Sequence, residues 1–202
     1  MISEQNRQTA TAVRQAAILA ATLELVAEKG VTAVTMSDIC GRSGASVGSV
    51  YHHFKDREGV LYALYRDCFE DCFGQLRTAV LATTDAQTGI QALVNSYLDW
   101  VAANPAQAAF IYEASQGTLL RSYQAEVAAF KGAFYADIFG WMRPFVESGQ
   151  LLRLPPWAYD AIIMGPAHEF ARRWLGGMQE LAMDEAKGVI ATAVWRAISL
   201  AD

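Results

Sequence analysis

The most constraining feature of the sequence is the stretch from Thr35 to Asp56, where two short helical segments flank a glycine. Thr35 and Ser46 are good N-cap residues, because a side-chain oxygen there can accept a hydrogen bond from a free backbone N–H. Asp38, three residues after Thr35, can complete a capping box. Gly44 stands where the chain must turn sharply, and glycine tolerates left-handed backbone. The pattern predicts a helix-turn-helix with short helices over residues 36–43 and 47–53.

The second of these helices has an apolar face and a polar face. We expect Val47, Val50 and Phe54 to pack inward, since they recur at i, i+3 and i+7. The outward face then carries small and polar residues that suit contact with phosphates and base edges. Glycine there lets a DNA backbone approach closely, and Lys55, predicted near the start of the next helix, favours a phosphate. The pattern predicts a helix that reads the DNA major groove. The outward residues are Gly48, Ser49, Tyr51 and His52.

Other chemistry in the sequence is weak. His52 and His53 are adjacent, so they point in different directions on a helix, and no third metal ligand is nearby. His168-Glu169 lacks the second histidine of a zinc-protease helix, because Arg172 stands there. No nucleophile–base or paired-carboxylate arrangement stands out. We therefore predict no metal, no cofactor and no enzymatic activity.

The remaining periodicity is helical throughout, and no segment alternates as a strand would. The sequence therefore predicts an all-α chain of about nine helices. On the first helix we expect Leu19, Leu23 and Val26 to share a buried face, and Pro166 is expected to kink the eighth helix. The predicted helices cover residues 8–29, 36–43, 47–53, 57–83, 88–103, 106–114, 118–147, 157–175 and 183–200.

Composition bounds these predictions. Hydrophobic residues make up 53% of the chain and charged residues 18%, which is enough apolar material for a core. The net charge is −5, and the part through Arg66 carries seven basic against six acidic side chains, so charge alone would not suggest DNA. The polar start of the sequence has no apolar signal region, and charges interrupt every apolar stretch. We expect a cytoplasmic protein that does not enter a membrane.

The stretch around the helix-turn-helix resembles the tetracycline-repressor (TetR) family. The resemblance runs from Arg14 and Ile18 through Glu28-Lys29-Gly30 and Gly44-Ala45-Ser46 to Leu61. It implies a DNA-binding domain over residues 1–56 and a ligand-binding and dimerisation domain over 57–202. The resemblance implies a ligand-responsive regulator, usually a repressor, that binds operator DNA as a homodimer through its last two helices. Carried over together with Val47, the DNA-contacting positions are Thr35, Ser46, Gly48, Ser49, Tyr51, His52 and Lys55.

The second domain is rich in aromatic residues, most of which must fill a helical core. By family analogy a subset lines a pocket for an apolar or aromatic effector. Two alternatives stay open: an enzyme that kept the fold, and a regulator whose second domain only dimerises. Cys68 and Cys72 could sense redox state, although buried structural thiols are the favoured interpretation. The candidate ligand contacts are Tyr65, Cys68, Trp100, Phe110, Phe130, Phe134 and His168.

Overall fold

A computed structural model of the chain describes residues 4–115 and 119–200. These residues form α-helices linked by short turns, with 3₁₀ turns at Val31–Ala33 and Arg121–Tyr123 and a π-helical turn at Asp160–Met164. The α-helices are α1 (Glu4–Lys29), α2 (Met36–Ser43), α3 (Val47–Phe54), α4 (Arg57–Leu81), α5 (Ala86–Ala103), α6 (Pro105–Ser115), α7 (Gln124–Glu147), α8 (Pro156–Tyr159), α9 (Gly165–Leu175) and α10 (Met183–Ile198).

The all-α prediction is confirmed. When α8, the π turn and α9 are counted as one continuous helix, the described residues contain nine helices. They contain no strand, and the one β-type pairing among them is an isolated bridge between Leu151 and Ser199. The first helix begins earlier than predicted, at Glu4. The helix predicted over 118–147 begins at Gln124, after a 3₁₀ turn, and the predicted start at residue 118 lies outside the described residues.

The expected distortion at Pro166 takes the form of the π turn. Proline has no N–H, so the carbonyl of Ile162 lacks its usual donor four residues on. The backbone N–H of Gly165 instead donates to the carbonyl of Asp160, five residues earlier. Such π turns widen a helix by one residue and are frequent at functional sites.

The chain divides into two compact units, and the division does not fall at residue 56. The first unit comprises residues up to Phe69 together with Ala106–Gln124. The second comprises Glu70–Pro105 and the residues from Ala125 onward. The helix-turn-helix therefore shares its unit with the first half of α4 and with most of α6.

In the first unit, α1 packs on α2. Its buried face is formed by Ile18, Ala21, Leu25 and Val26, whereas Leu19 is only half-buried, as is Leu23. The predicted face was therefore wrong by about one position, because Thr22 satisfies its hydroxyl within the helix, on the carbonyl of Ile18 at 2.8 Å, and can be buried. By length and composition alone, α1 is also the one described helix that could span a membrane. Its burial against α2 is that of a core helix.

In the second unit, α5 packs on α10 and α9. Trp100 of α5 is almost completely buried, and its indole N–H donates to Asp71 at 2.7 Å. Gly89 allows close packing at the other end of α5, since a Cβ there would lie 2.0 Å from the ring of Trp141 on α7. These contacts hold α5 and α7 beside the cavity described below.

Candidate functional site

The start of α2 is fixed by a complete capping box. The backbone N–H of Asp38 donates to the hydroxyl of Thr35, and the backbone N–H of Thr35 donates to the carboxylate of Asp38 at 2.8 Å. The ammonium of Lys29 lies 2.6 Å from the same carboxylate. Lys29, and then the hydroxyl and N–H of Thr35, hold the pKa of Asp38 well below its usual value. The cap predicted from sequence is confirmed, and it ties α2 to the end of α1.

The turn between α2 and α3 also follows the sequence prediction. Gly44 has φ 67° and ψ 9°, the left-handed conformation that closes a helix without a Cβ penalty. Ser46 then caps α3 by accepting a hydrogen bond from the N–H of Ser49 at 3.2 Å. These two residues fix the direction in which α3 leaves the turn.

One face of α3 is buried and the other is open to solvent. Val50 and Phe54 are buried, whereas Gly48 and His52 are exposed and Tyr51 retains 49% of its accessible surface. The expectation that Val47 packs inward was wrong, because Val47 is 57% exposed. It lies beside the exposed residues of the turn, which give it no apolar cover.

Gly48 is not required by the fold. Its φ is not positive, and a Cβ at this position would meet nothing within 4 Å. A glycine in an exposed helix costs ~1 kcal/mol of helix stability relative to alanine. A partner that approaches the helix backbone closely gives this glycine a physical reason.

Lys55 ends α3 in a γ-turn rather than opening the next helix. Its φ is 67° and its ψ is −53°, and the N–H of Asp56 donates to the carbonyl of Phe54 at 2.8 Å. This turn is rare and strained for a residue with a side chain. Lys55 is the one non-glycine residue with positive φ among those described. The predicted position near the start of α4 was therefore off by one turn, and the ammonium belongs to the end of α3.

Two residues that sequence reasoning missed position this junction. The guanidinium of Arg57 donates to the carbonyls of Val31 and Val34, which anchors the start of α4 to the segment before α2. Gly59 accommodates the γ-turn, because a Cβ there would lie 1.9 Å from the carbonyl oxygen of Phe54. The signal in the sequence was a glycine in the first turn of a long helix.

A cavity lies inside the second unit, between α4, α5, α7 and the widened helix around the π turn. Its volume is about 40 Å³. Phe73 and Phe134 stack across it with ring centroids 3.6 Å apart. Its polar atoms come from Tyr135, Tyr159, Asp160 and His168. The apolar lining consists of Phe73, Leu76, Leu93, Phe134, Ile138, Phe139, Met142, Ile163 and Met164.

The structure brings two of the seven predicted ligand contacts, Phe134 and His168, to this cavity. Trp100 is buried elsewhere in the same unit, and Phe130 is half-buried and does not line the cavity. The other three lie in the first unit.

Those three residues are Tyr65, Cys68 and Phe110, and all are buried. The hydroxyl of Tyr65 lies 3.2 Å from that of Ser115. As ligand contacts all seven residues remain predictions. Sequence reasoning missed Tyr135 and Asp160, although Pro166 marked the distorted helix that carries Asp160.

The polar side chains of the cavity form a small network. The hydroxyl of Tyr135 donates to Asp160 at 3.1 Å, and the rings of Tyr97 and His168 meet edge to face at 4.9 Å. Burial lowers the pKa of His168; the nearby Asp160 carboxylate raises it and Lys131 lowers it further. Among the described residues, no group of three or more His, Cys, Asp or Glu side chains could hold a metal ion.

Comparison with known proteins identifies the helix-turn-helix. Residues 18–64 match the family model of bacterial regulatory proteins of the tetR family. By its DNA-binding domain, the chain belongs to the TetR family. The transcriptional repressor KstR2 of Rhodococcus jostii (strain RHA1) is 32% identical over 91 residues, which are 45% of each protein. The match thus spans less than half the length of that relative.

Solved structures extend the likeness to the whole fold. A TetR-family regulator from Marinobacter aquaeolei VT8 superposes with a TM-score of 0.81 at 18% identity, over 96% of this chain and 98% of that one. The regulator FadR of Bacillus subtilis, solved in complex with stearoyl-CoA, has a TM-score of 0.75 at 19% identity, over 88% and 96%. At these identities the likeness concerns the fold.

Proposed function

We propose that this TetR-family chain is a transcriptional repressor that binds operator DNA as a homodimer in the cytoplasm and is released by a small apolar effector. The observation that carries the DNA-binding part is the open face of α3. Gly48, Tyr51 and His52 stand exposed on a helix that is capped at its start by Ser46 and held at its end by a γ-turn. These features suit insertion into a major groove.

The proposed DNA contacts divide into two kinds. Thr35, Ser46 and Lys55 stand at helix ends, where hydroxyls, amides and an ammonium suit phosphates. Along α3 the residues suited to base edges are Val47, Gly48, Ser49, Tyr51 and His52. The hydroxyl of Thr35 also serves the capping box, donating to Asp38 at 2.6 Å, so Thr35 acts partly through the helix start.

A dimer is supported by apolar residues left open on the second unit. Val189 on α10 retains 61% of its accessible surface, and Ala193 and Ala197 continue the same face at i+4 and i+8. Trp157 on α8 retains 75%. Two copies joined through such a face would place two α3 helices on half-sites about 34–36 Å apart. Since residues 1–66 carry a net charge near zero, one subunit alone would bind weakly.

An effector is supported by the apolar cavity and its polar end. Pockets for drug-sized ligands measure ~300–1,000 Å³, so an effector must part the Phe73–Phe134 pair to enter. The small volume also favours a second candidate function, a regulator whose second unit only dimerises. An effector releases DNA only to the extent that it binds the two states of the dimer differently.

DNA binding is tested by a mobility shift on the DNA upstream of the chain's own gene. We expect specific binding by the wild type and at least ~10-fold weaker binding after Tyr51→Ala or Lys55→Ala. Arg153→Ala in the second unit is the charge-matched control and should bind like the wild type. Absence of specific binding by the wild type, or equal binding by all variants, contradicts the proposal.

The dimer is tested by sedimentation of Val189→Asp at fixed concentration. We expect it to dissociate toward monomer. Val13→Asp is the control, because Val13 is 64% exposed but lies on α1 in the first unit. A monomeric wild type, or a Val189→Asp protein that remains fully dimeric, excludes this interface.

A further inference from the structure

We infer that the effector cavity of the second unit selects an apolar molecule whose polar group donates hydrogen bonds and carries no negative charge, such as an apolar alcohol or amine. This inference rests on the proposed function of the cavity as an effector site. It follows from the balance of donors and acceptors at the cavity's polar end, where Tyr135, Asp160 and His168 meet an otherwise apolar lining.

The first step concerns the two tyrosine hydroxyls. The hydroxyl of Tyr159 is committed to the backbone, because it donates to the carbonyl of Leu152 at 2.7 Å and accepts from the N–H of Leu154 at 3.1 Å. The hydroxyl of Tyr135 gives its only proton to Oδ1 of Asp160 at 3.1 Å. Toward a ligand, Tyr135 can therefore offer only a lone pair.

The second step concerns Asp160 and His168. A carboxylate accepts hydrogen bonds and cannot donate them, so Asp160 adds acceptor capacity. Burial lowers the pKa of His168, which keeps the imidazole neutral near pH 7 with one donor and one acceptor nitrogen. The set thus holds several acceptors and at most one donor. A ligand hydroxyl or ammonium completes it, whereas a ligand carboxylate would leave acceptors facing acceptors.

The third step is electrostatic. Asp160 carries a negative charge at the edge of an apolar cavity, where charges are weakly screened. A like charge brought into such a site costs several kcal/mol, whereas an ammonium is attracted by Asp160 and by the faces of neighbouring aromatic rings. Tyr135 stacks on Phe139 with centroids 5.9 Å apart and lies edge-on to Phe73, so aromatic rings surround this end of the cavity. The site is therefore the reverse of one built for an anionic head group.

The test uses three aromatic probes of one size that differ in charge: 2-phenylethanol, 2-phenylethylamine and phenylacetic acid. Binding to the full chain is measured directly by calorimetry, without DNA. We expect the alcohol and the amine to bind at least ~10-fold more tightly than the acid. Asp160→Asn should weaken amine binding by ~10-fold or more and reduce the discrimination against the acid.

Two further variants keep the result interpretable. Tyr135→Phe preserves the ring but frees Oδ1 of Asp160, so amine binding should persist if Asp160→Asn proves unstable in thermal melts. Asp137→Asn is the matched control, because Asp137 lies on the same helix as Tyr135 and pairs with Arg77 outside the cavity, at 3.0 Å. It should bind all three probes like the wild type.

The inference is overturned if the acid binds as well as the alcohol and amine, if Asp160→Asn leaves the order unchanged, or if none of the probes binds. Mobility shifts in the presence of each probe separate this inference from the proposed function. Selective binding that leaves the DNA complex intact supports the inference and contradicts effector release. A protein that binds no DNA leaves the calorimetric result standing by itself.

Discussion

Gly59→Ala is expected to destabilise the junction between α3 and α4. The added Cβ would stand 1.9 Å from the carbonyl oxygen of Phe54, so the contact must open by about 1 Å before it reaches the shortest separation seen in proteins. The obstacle is the backbone of the γ-turn that holds Lys55, and it cannot rotate away as a side chain could. Overpacking of this kind costs ~1–3 kcal/mol, and a rigid obstacle places it near the upper end.

Alanine returns at most ~1 kcal/mol of helix propensity, which leaves a net loss of ~2 kcal/mol. In a chain of this size that lowers the melting temperature by ~4–8 °C. Gly74→Ala is the matched control on the same helix, because a Cβ there meets nothing within 4 Å, and it should raise the melting temperature slightly.

Melting is followed by far-UV circular dichroism at one protein concentration, since a dimer's melting temperature depends on concentration. A Gly59→Ala protein as stable as the wild type would refute the close approach of α4 to the γ-turn.

Three other predictions test individual contacts. Ser46→Ala should lower the free energy of unfolding by ~1 kcal/mol in urea melts, whereas Ser46→Asn, which keeps a capping oxygen, should change it little. The lowered pKa of His168 means that the unfolded chain binds more protons, so stability should be full above about pH 6.5 and fall as the pH drops below it. In melts at pH 8 and pH 5.5, His168→Gln should lose less stability than the wild type, and equal losses would contradict a buried neutral imidazole. Lys55→Ala should reduce the slope of log affinity for DNA against log salt concentration by ~0.9, the value for one phosphate contact, and an unchanged slope would remove Lys55 from the interface.

The local rules of helix capping made the DNA-binding half predictable from sequence. Thr35, Gly44 and Ser46 each act on backbone within a few residues, so their roles could be inferred from spacing alone. Val47 failed as a core residue because helical period gives a direction, whereas burial depends on what the neighbouring turn can cover. The γ-turn at Lys55 was not predictable, since its strain is imposed by the approach of α4 at Gly59.

The cavity was less predictable, because it depends on which distant helices meet. Aromatic content indicated a core but could not separate Phe134, which reaches the cavity, from Phe130, one turn earlier, which does not. Pro166 predicted a distortion, yet its consequence for Asp160 depends on a π turn whose hydrogen bond links residues five apart. The compact units also divide within α4, where no composition change marks a boundary.

The most direct test of the central claim, that the open face of α3 lies against DNA, is the operator affinity of Gly48→Ala beside that of Gly41→Ala. Both glycines are exposed on short helices of the same unit, and a Cβ at either meets nothing within 4 Å. Both substitutions should therefore stabilise the protein by up to ~1 kcal/mol. Gly48→Ala should nevertheless weaken operator binding ~10-fold or more, because a methyl group forced into a packed contact costs ~1–3 kcal/mol, while Gly41→Ala binds like the wild type. Undiminished binding by Gly48→Ala would contradict the account.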